Sequence, residues 1–190
     1  MRLASVNPAA LARLRERALG AAASVRVAGE QGWPMEILSR GTGADRILAA
    51  WAAWRRCRRA LVVADLGTAW TLDLVDGGGR FCGGAIGPGL GIQAEALARA
   101  CPHLPAADGE DPAAIPSDSR AAVAAGTRVA LADALGAGRA RMAASLGLPG
   151  LRAFLTGGDA QRLRPLLGQD WDHVPDLVLE GLAGWEPAGG

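Results

Sequence analysis

The sequence predicts a mixed α/β fold arranged in two lobes. The first observation is Leu61–Val75, where two apolar runs separated by a Gly-Thr pair indicate two strands joined by a tight turn. The second is the region after it, where a glycine turn, a third strand and a helix follow in close succession. The third is the alternation of strand and helix patterns before Leu61 and after Leu151. A chain of 190 residues can bury a substantial core and suits one domain or two small lobes.

Before Leu61 the sequence predicts two strands and two helices. Asn7 favours an N-cap, and Pro8 is well placed at the first position of the helix that follows. Gly29–Thr42 is interrupted by glycine and proline and is predicted to be a loop. The predicted elements are a strand over Arg2–Val6, a helix over Ala9–Ala22, a strand over Ser24–Ala28 and a helix over Ala44–Arg59.

After Leu61 the sequence predicts further strands and helices. Ser117 or Asp118 caps a long alanine-rich helical stretch with breaks near Gly136 and Gly138, and the region Cys101–Pro116 before it is irregular. The predicted strands are Leu61–Ala64, Trp70–Val75 as a half-buried strand, Phe81–Gly87, Leu151–Leu155 and a weak candidate over Trp171–Val174. The predicted helices are Leu90–Ala100, the stretch that ends at about Ser145, Ala160–Leu167 and Leu177–Trp185.

Composition excludes several classes of function. The net charge of +1 gives no electrostatic case for nucleic acid or an acidic membrane surface as a partner. No apolar run has transmembrane length and the N-terminal residues lack a secretion signal, so we expect a cytoplasmic protein. Cys57, Cys82 and Cys101 are too widely spaced to indicate a zinc site or disulfide framework. Every basic residue is arginine, which excludes a phosphate-binding lysine and leaves metal ions, backbone N–H groups and arginine for phosphoryl chemistry.

The turn around Asp65 is a candidate phosphate-binding element. A carboxylate ends one strand and Gly67-Thr68 leads directly into the next, whereas a dinucleotide fingerprint or a P-loop requires a helix after its glycines. An ordinary hairpin with Asp65 as a turn residue explains the same pattern equally well.

A second candidate is Gly43-Ala44-Asp45-Arg46, which begins a predicted helix. Free N–H groups and the positive end of the dipole favour anions there. Asp45 could orient a substrate hydroxyl and accept its proton, and Arg46 could bind a carboxylate or phosphate. A capping aspartate beside a surface arginine is the simpler explanation of this motif alone.

Two glycine motifs are weaker candidates. Thr156-Gly157-Gly158, between a strand and a helix, would let a flat ligand such as a nucleoside approach the backbone. A plain strand-to-helix turn with no ligand explains the same motif. The run from Gly83 to Gly89 is either a binding edge or, as we favour, a closely packed strand end.

The order of elements resembles the repeated unit of the actin and hexokinase superfamily, in which two units enclose a nucleotide. On that resemblance residues 61–190 form a complete second lobe, and residues 1–60 form a first lobe truncated at its N-terminus, with its three opening strands and first helix missing. The ribonuclease H-like unit expected for each lobe implies a cleft on which Asp45 and Asp65 would converge.

The motifs taken together resemble type III pantothenate kinase, a family that phosphorylates pantothenate in the first step of coenzyme A biosynthesis. The resemblance extends from Leu3 to Leu182. It is carried, in the family's order, by Gly-Ala-Asp-Arg, Asp-Leu-Gly-Thr-Ala, Gly-Gly-Ala-Ile-Gly-Pro-Gly, Leu-Pro, Thr-Gly-Gly-Asp-Ala and Leu-Val-Leu-Glu-Gly-Leu.

The resemblance implies a role for each matching residue. Asp45 would be the catalytic proton acceptor, and Asp65 would hold a monovalent cation, K⁺ or NH₄⁺, beside ATP with Mg²⁺. Ser119 stands where the family has a threonine that reaches pantothenate from the partner subunit of a homodimer. The remaining residues implied to bind pantothenate are Gly43, Ala44 and Arg46, and those implied to bind ATP are Gly67, Thr68, Gly157 and Gly158.

The sequence also departs from the family pattern. It has no Asp-x-Gly-Asn-Thr phosphate loop, no tyrosine before Gly43, and Ala49 where asparagine is usual. One hypothesis is therefore a kinase of which this chain is one piece, completed either by a separate N-terminal chain or by an N-terminal segment that precedes its first residue. Its uncovered sheet edge would favour a partner or a dimer. A second is a non-catalytic binding or regulatory module of the same fold. A third is a phosphotransferase for another small hydroxylated substrate, suggested by the altered loop Gln31–Thr42.

Overall fold

The computed structural model describes residues 1–5, 7–21, 24–30, 32–106 and 115–186. Some predicted positions lie outside the described residues: Val6 of the first strand, Ala22 of the first helix, Gln31 of the loop, and residues 107–114 of the irregular region. The strands are β1 (Arg2–Leu3), β2 (Arg26–Val27), β3 (Leu61–Leu66), β4 (Ala69–Val75), β5 (Phe81–Pro88), β6 (Arg152–Thr156) and β7 (Trp171–His173). The α-helices are α1 (Pro8–Leu19), α2 (Ala44–Cys57), α3 (Leu90–Ala100), α4 (Ser119–Ala124), α5 (Ala130–Ser145), α6 (Ala160–Leu167) and α7 (Leu177–Gly184).

The described strands form two sheets. In the smaller sheet β1 and β2 pair in parallel, with Arg2 opposite Arg26 and Leu3 opposite Val27, and α1 provides the crossover that parallel strands require. The larger sheet has the strand order β5-β4-β3-β6-β7. The two-residue connection between β3 and β4 makes this pair antiparallel. β6 and β7 are parallel and are connected through α6.

Two compact units make up the chain. The first comprises Met1–Val63, Asp73–Gly84 and Asp176–Gly190, and the second comprises Ala64–Leu72 and Ala85–Pro175. The sequence predicts two lobes, residues 1–60 and residues 61–190, and this division stays a prediction. The first unit contains residues from both of these ranges.

Helix α2 and helix α7 pack together in the first unit. Gly181 of α7 lies against the backbone of Leu48, because an added Cβ would come within 2.1 Å of the Leu48 carbonyl oxygen. Leu48 and Trp185 are fully buried in one hydrophobic cluster with Ala28, and the Trp185 indole N–H donates to the Gly32 carbonyl over 3.2 Å. Trp185 is therefore buried with its indole N–H hydrogen-bonded.

The long helical stretch of the second unit differs from its prediction. The breaks predicted at Gly136 and Gly138 are wrong, because α5 continues through both residues. The irregularity instead lies at Ala125–Val129, a π-helical turn between α4 and α5. There the Thr127 hydroxyl donates to the carbonyl oxygens of Val123 and Ala124, over 2.9 and 3.2 Å. Side-chain bonding to preceding carbonyls competes with the helix ladder and distorts it.

The remaining element predictions differ from the structure mainly at their ends. Helices α3 and α6 have the predicted bounds, and Asp118, one of two predicted caps, accepts from the Ala121 N–H over 2.9 Å. Strand β4 is not half-buried as predicted, because every residue from Leu72 to Val75 is buried. None of the described helices combines the length and apolar character needed to cross a membrane.

Candidate functional site

The β3–β4 turn of the second unit is built by close backbone packing. Half-buried Asp65 precedes the last residue of β3, and the Gly67 N–H donates to the Ala69 carbonyl over 3.1 Å across the turn. Gly89, immediately before α3, donates its N–H to the Thr68 carbonyl over 2.9 Å. An added Cβ on Gly89 would lie 1.9 Å from the Gly67 carbonyl oxygen, so only glycine lets the start of α3 reach the turn.

The loop between β6 and α6 meets the same turn from another element. Gly157 has φ +94°, and an added Cβ would lie 2.4 Å from the Leu66 carbonyl oxygen and 2.5 Å from Asp65 Oδ1. The Asp159 N–H then donates to the Leu66 carbonyl over 2.9 Å. Gly158 is exposed, and a Cβ there would meet nothing within 4 Å. The structure therefore brings together five of the predicted site residues: Asp65, Gly67, Thr68, Gly157 and Gly158.

This arrangement suits an anionic, flat ligand. Helix α3 begins beside the turn and α6 begins one residue after Asp159, and helix N-termini offer free N–H groups to anions. The open space at Gly158 allows a ligand to approach the backbone. Among the described residues no group of three or more His, Cys, Asp or Glu side chains could hold a metal ion. A cation here would be coordinated by Asp65 with backbone or ligand oxygens.

The start of α2 in the first unit holds the second group of predicted site residues. Gly43 is the N-cap, with extended backbone (φ −63°, ψ 147°) and no side chain to cap the helix. Asp45 lies in the first turn, and its Oδ1 accepts from the Arg46 N–H over 2.9 Å. The carboxylate therefore satisfies one of the N–H groups that a helix start leaves open. Gly43, Ala44 and Asp45 are all partly exposed.

The Arg46 guanidinium forms a buried ion pair with Asp73 of β4. Arg46 Nε donates to Asp73 Oδ1 and Oδ2 over 3.1 and 3.0 Å, and Nη2 also bonds Oδ1. The Arg46 side chain is 13% exposed and that of Asp73 only 1%. The guanidinium also lies 5.9 Å from the centre of the Phe81 ring. The hydrogen bond to Asp73 raises the pKa of Arg46 despite the opposing effect of burial, so the guanidinium stays charged.

The segment before Gly43 is fastened to β5. The Phe81 N–H donates to the Glu36 carbonyl over 2.8 Å, and the Leu38 N–H donates to the Phe81 carbonyl over 2.9 Å. Ser39 and Thr42 share a hydroxyl hydrogen bond of 2.5 Å. A segment that the sequence predicts to be a loop therefore has a defined path into α2.

Ser119 lies elsewhere in the second unit. It is the exposed first residue of α4, directly after the cap Asp118. The role that the family resemblance implies for it stays a prediction.

A comparison with family models decides the relationship. The model described as type III pantothenate kinase matches residues 1–138. The chain belongs to the type III pantothenate kinase family. The family resemblance read from the sequence motifs is thereby confirmed.

Curated type III pantothenate kinases are similar over about three quarters of the chain. The protein of Alkalilimnicola ehrlichii is 45% identical over 152 residues, which cover 76% of this chain and 58% of that protein. That of Chromobacterium violaceum is 39% identical over 142 residues, covering 74% and 59%. The chain thus spans somewhat more than half the length of these relatives.

A solved structure shares the fold. A conserved protein of Campylobacter jejuni, described as a Baf family transcriptional activator, matches with a TM-score of 0.74 and 19% identity, over 96% of this chain and 79% of that one. The expected mixed α/β fold class is confirmed, and the actin-like two-lobe arrangement stays a prediction. That the first lobe lacks its opening strands stays a prediction.

Two residues of this family member were missed as site residues by sequence reasoning. Asp73 holds Arg46, and the available signal was a carboxylate inside an apolar strand pattern. Gly89 packs on the turn, whereas the sequence favoured only a closely packed strand end for the run from Gly83 to Gly89. In both cases the partner is distant in sequence.

Proposed function

We propose that this chain carries out, or forms part of the protein that carries out, ATP-dependent phosphorylation of pantothenate in the cytoplasm, the first step of coenzyme A biosynthesis. Family membership supports the reaction class. The observation that carries the proposal is the packing of Gly89 and Gly157 against the turn that follows Asp65, because it assembles two helix starts around one carboxylate. Phosphoryl transfer depends mainly on such fixed electrostatic donors.

ATP would be bound in the second unit. The backbone of Gly67, Thr68, Gly157 and Gly158 would contact it, and Asp65 would hold a K⁺ or NH₄⁺ ion next to it. When bound, Mg²⁺ and the monovalent ion would neutralise charge on the phosphates. A magnesium ion commonly takes only one or two carboxylates and completes its shell with phosphate and water.

Pantothenate would be bound at the start of α2. Asp45 would accept the proton of its hydroxyl, and Gly43, Ala44 and Arg46 would line the site. Ser119 would reach pantothenate from the partner subunit of a homodimer, so we also propose that the active form is dimeric. A mixture of an Asp45→Asn and a Ser119→Ala variant tests this, because a shared site predicts that mixed dimers recover activity that neither parent has.

The direct test is ADP release with pantothenate, ATP, Mg²⁺ and K⁺. Asp45→Asn should lower kcat by about 10²- to 10⁴-fold, the usual range for loss of a general base. Asp133→Asn is the matched control, because Asp133 is also a first-turn aspartate of a helix but is exposed on α5. Equal activity of wild type and Asp45→Asn would reject Asp45 as the base.

The same assay should be repeated with an added N-terminal fragment that carries the Asp-x-Gly-Asn-Thr loop. If the active protein contains a separate N-terminal chain, the fragment should raise kcat and leave the Asp45 requirement in place. Omission of K⁺ and NH₄⁺ should reduce turnover if Asp65 holds a monovalent ion, and Asp65→Asn should remove that dependence.

The alternative is a non-catalytic binding or regulatory module. One observation favours it: the guanidinium of Arg46, expected at the substrate, already bonds Asp73 within the protein. This alternative predicts binding of ATP or pantothenate in calorimetry with no ADP release, even with the N-terminal fragment present.

A further inference from the structure

Asp73 is a carboxylate in an environment where a charge is costly. It is 1% exposed and lies between Leu72 and Leu74 in a part of β4 that is buried throughout. An ionised carboxylate in such a place requires a cation and several hydrogen bonds. Arg46 supplies both, although the two residues are 27 positions apart in the sequence.

The geometry of the pair leaves part of the guanidinium for another ligand. In the described part of the chain, the hydrogen bonds from Arg46 to Asp73 come from Nε and Nη2 and not from Nη1. A guanidinium has five N–H donors in a rigid plane, so a partner on the Nε side does not prevent a second anion from binding at the Nη end. The side chain retains 13% exposure, which permits that contact.

Arg46 is also joined to the proposed base. Its backbone N–H donates to Asp45 Oδ1, so one residue connects the carboxylate of Asp45 with the buried carboxylate of Asp73. Phe81 lies against the guanidinium at 5.9 Å from its ring centre and restricts its orientation further.

We propose that Asp73 is a positioning residue that fixes the Arg46 guanidinium so that its Nη end binds an anionic oxygen of the substrate. The inference rests on the proposed function and adds to it a residue that touches no substrate. The anion is either the carboxylate of the acceptor or a phosphoryl oxygen of the nucleotide. A purely structural ion pair is the competing explanation, and it predicts lower stability without any change in anion recognition.

The test compares Asp73→Asn with Asp76→Asn in the full chain. Asp76 is a matched control, because it is another buried aspartate of the same unit that bonds an arginine, Arg80. Binding is measured for pantothenate and for pantothenol, in which a hydroxymethyl group replaces the carboxylate, and KM is measured for pantothenate and ATP separately. Stability is measured in parallel by urea unfolding.

If Arg46 binds the acceptor carboxylate, Asp73→Asn should weaken pantothenate binding by about 10-fold or more and leave pantothenol unaffected, since hydrogen bonds to charged groups carry this much discrimination. If it binds a phosphoryl oxygen, KM for ATP should rise instead. Asp76→Asn should change neither the preference for pantothenate over pantothenol nor KM for ATP.

Two results would contradict the inference in different ways. A wild-type chain that binds neither pantothenate nor pantothenol contradicts the proposed function and, with it, this inference. A wild type that binds them, together with an Asp73→Asn variant that loses stability but keeps both the ligand preference and KM for ATP, contradicts the inference alone. Independently of ligands, ¹⁵N NMR should show a slowly exchanging Arg46 Nε–H that becomes fast-exchanging in Asp73→Asn, and fast exchange already in the wild type overturns the positioning role.

Discussion

Gly157 lies directly against Asp65: an added Cβ would come within 2.5 Å of the Asp65 Oδ1 atom. The same position has φ +94°, a backbone conformation that residues with a side chain rarely adopt. Two independent requirements therefore demand glycine, one for the local backbone and one for the close approach to β3.

Gly157→Ala should consequently lower the free energy of unfolding by roughly 2 kcal/mol or more and weaken nucleotide binding. Gly158→Ala should leave stability within about 0.5 kcal/mol of wild type, because its Cβ would meet nothing within 4 Å, but should weaken binding of a ligand that occupies this space. Urea unfolding and binding of a fluorescent ATP analogue measure both effects. Equal stability of the two variants would contradict the packing at Gly157.

Helix α5 offers a second matched pair of glycines. Gly136 is exposed with nothing within 4 Å of an added Cβ, whereas a Cβ at Gly138 would lie 2.6 Å from Leu72 Cδ2. Gly136→Ala should stabilise the protein by about 0.5–1 kcal/mol, because alanine is the better helix former. Gly138→Ala should destabilise it by about 1–3 kcal/mol through overpacking against buried Leu72. Thermal unfolding followed by circular dichroism should therefore shift in opposite directions.

The turn between β4 and β5 should be sensitive to acid. Burial alone would raise the pKa of Asp76, but hydrogen bonds from the Arg80 N–H, the Arg80 guanidinium and the Gly78 N–H hold the pKa below its usual value. A lowered folded-state pKa contributes stability above the unfolded pKa of about 3.9, and this contribution is lost as pH falls through the folded pKa.

Asp76→Asn should therefore destabilise the protein at pH 7, and the difference from wild type should shrink as pH falls below about 4. Unfolding in urea between pH 3 and pH 7 measures this. The exposed Asp133→Asn provides the baseline, and a difference that stays constant across the range would show that the carboxylate charge has no part in the turn.

The contact between α2 and α7 gives a further prediction. A Cβ at Gly181 would lie 2.1 Å from the Leu48 carbonyl oxygen, so Gly181→Ala must separate the two helices. We expect a loss of about 1–3 kcal/mol, the range for overpacking. Leu179→Ala on the same helix is the control, because Leu179 is 62% exposed and its truncation should cost little. Unchanged urea unfolding of Gly181→Ala would contradict the packing.

The local sequence pattern predicts most of the strands and helices of this protein. The apolar runs around Asp65, the glycine turn before Phe81 and the cap Asp118 identify their elements because periodicity and turn chemistry depend on neighbours in the sequence. The family motifs also named the residues around the β3–β4 turn, and the structure packs Gly157 against Asp65 there.

The sequence by itself determined the strand and helix identities, the family and the two glycine motifs at the candidate sites. Only the tertiary structure decided that Asp73 is buried on Arg46, that Gly89 packs on Gly67, and that the helical stretch is irregular at Ala125–Val129 rather than at Gly136 and Gly138. The first two involve residues 27 and 22 positions apart, and their contact depends on strand register and element packing rather than on local periodicity. The irregular turn depends on whether the Thr127 hydroxyl bonds carbonyl oxygens of its own helix, and this depends on how the side chain is packed.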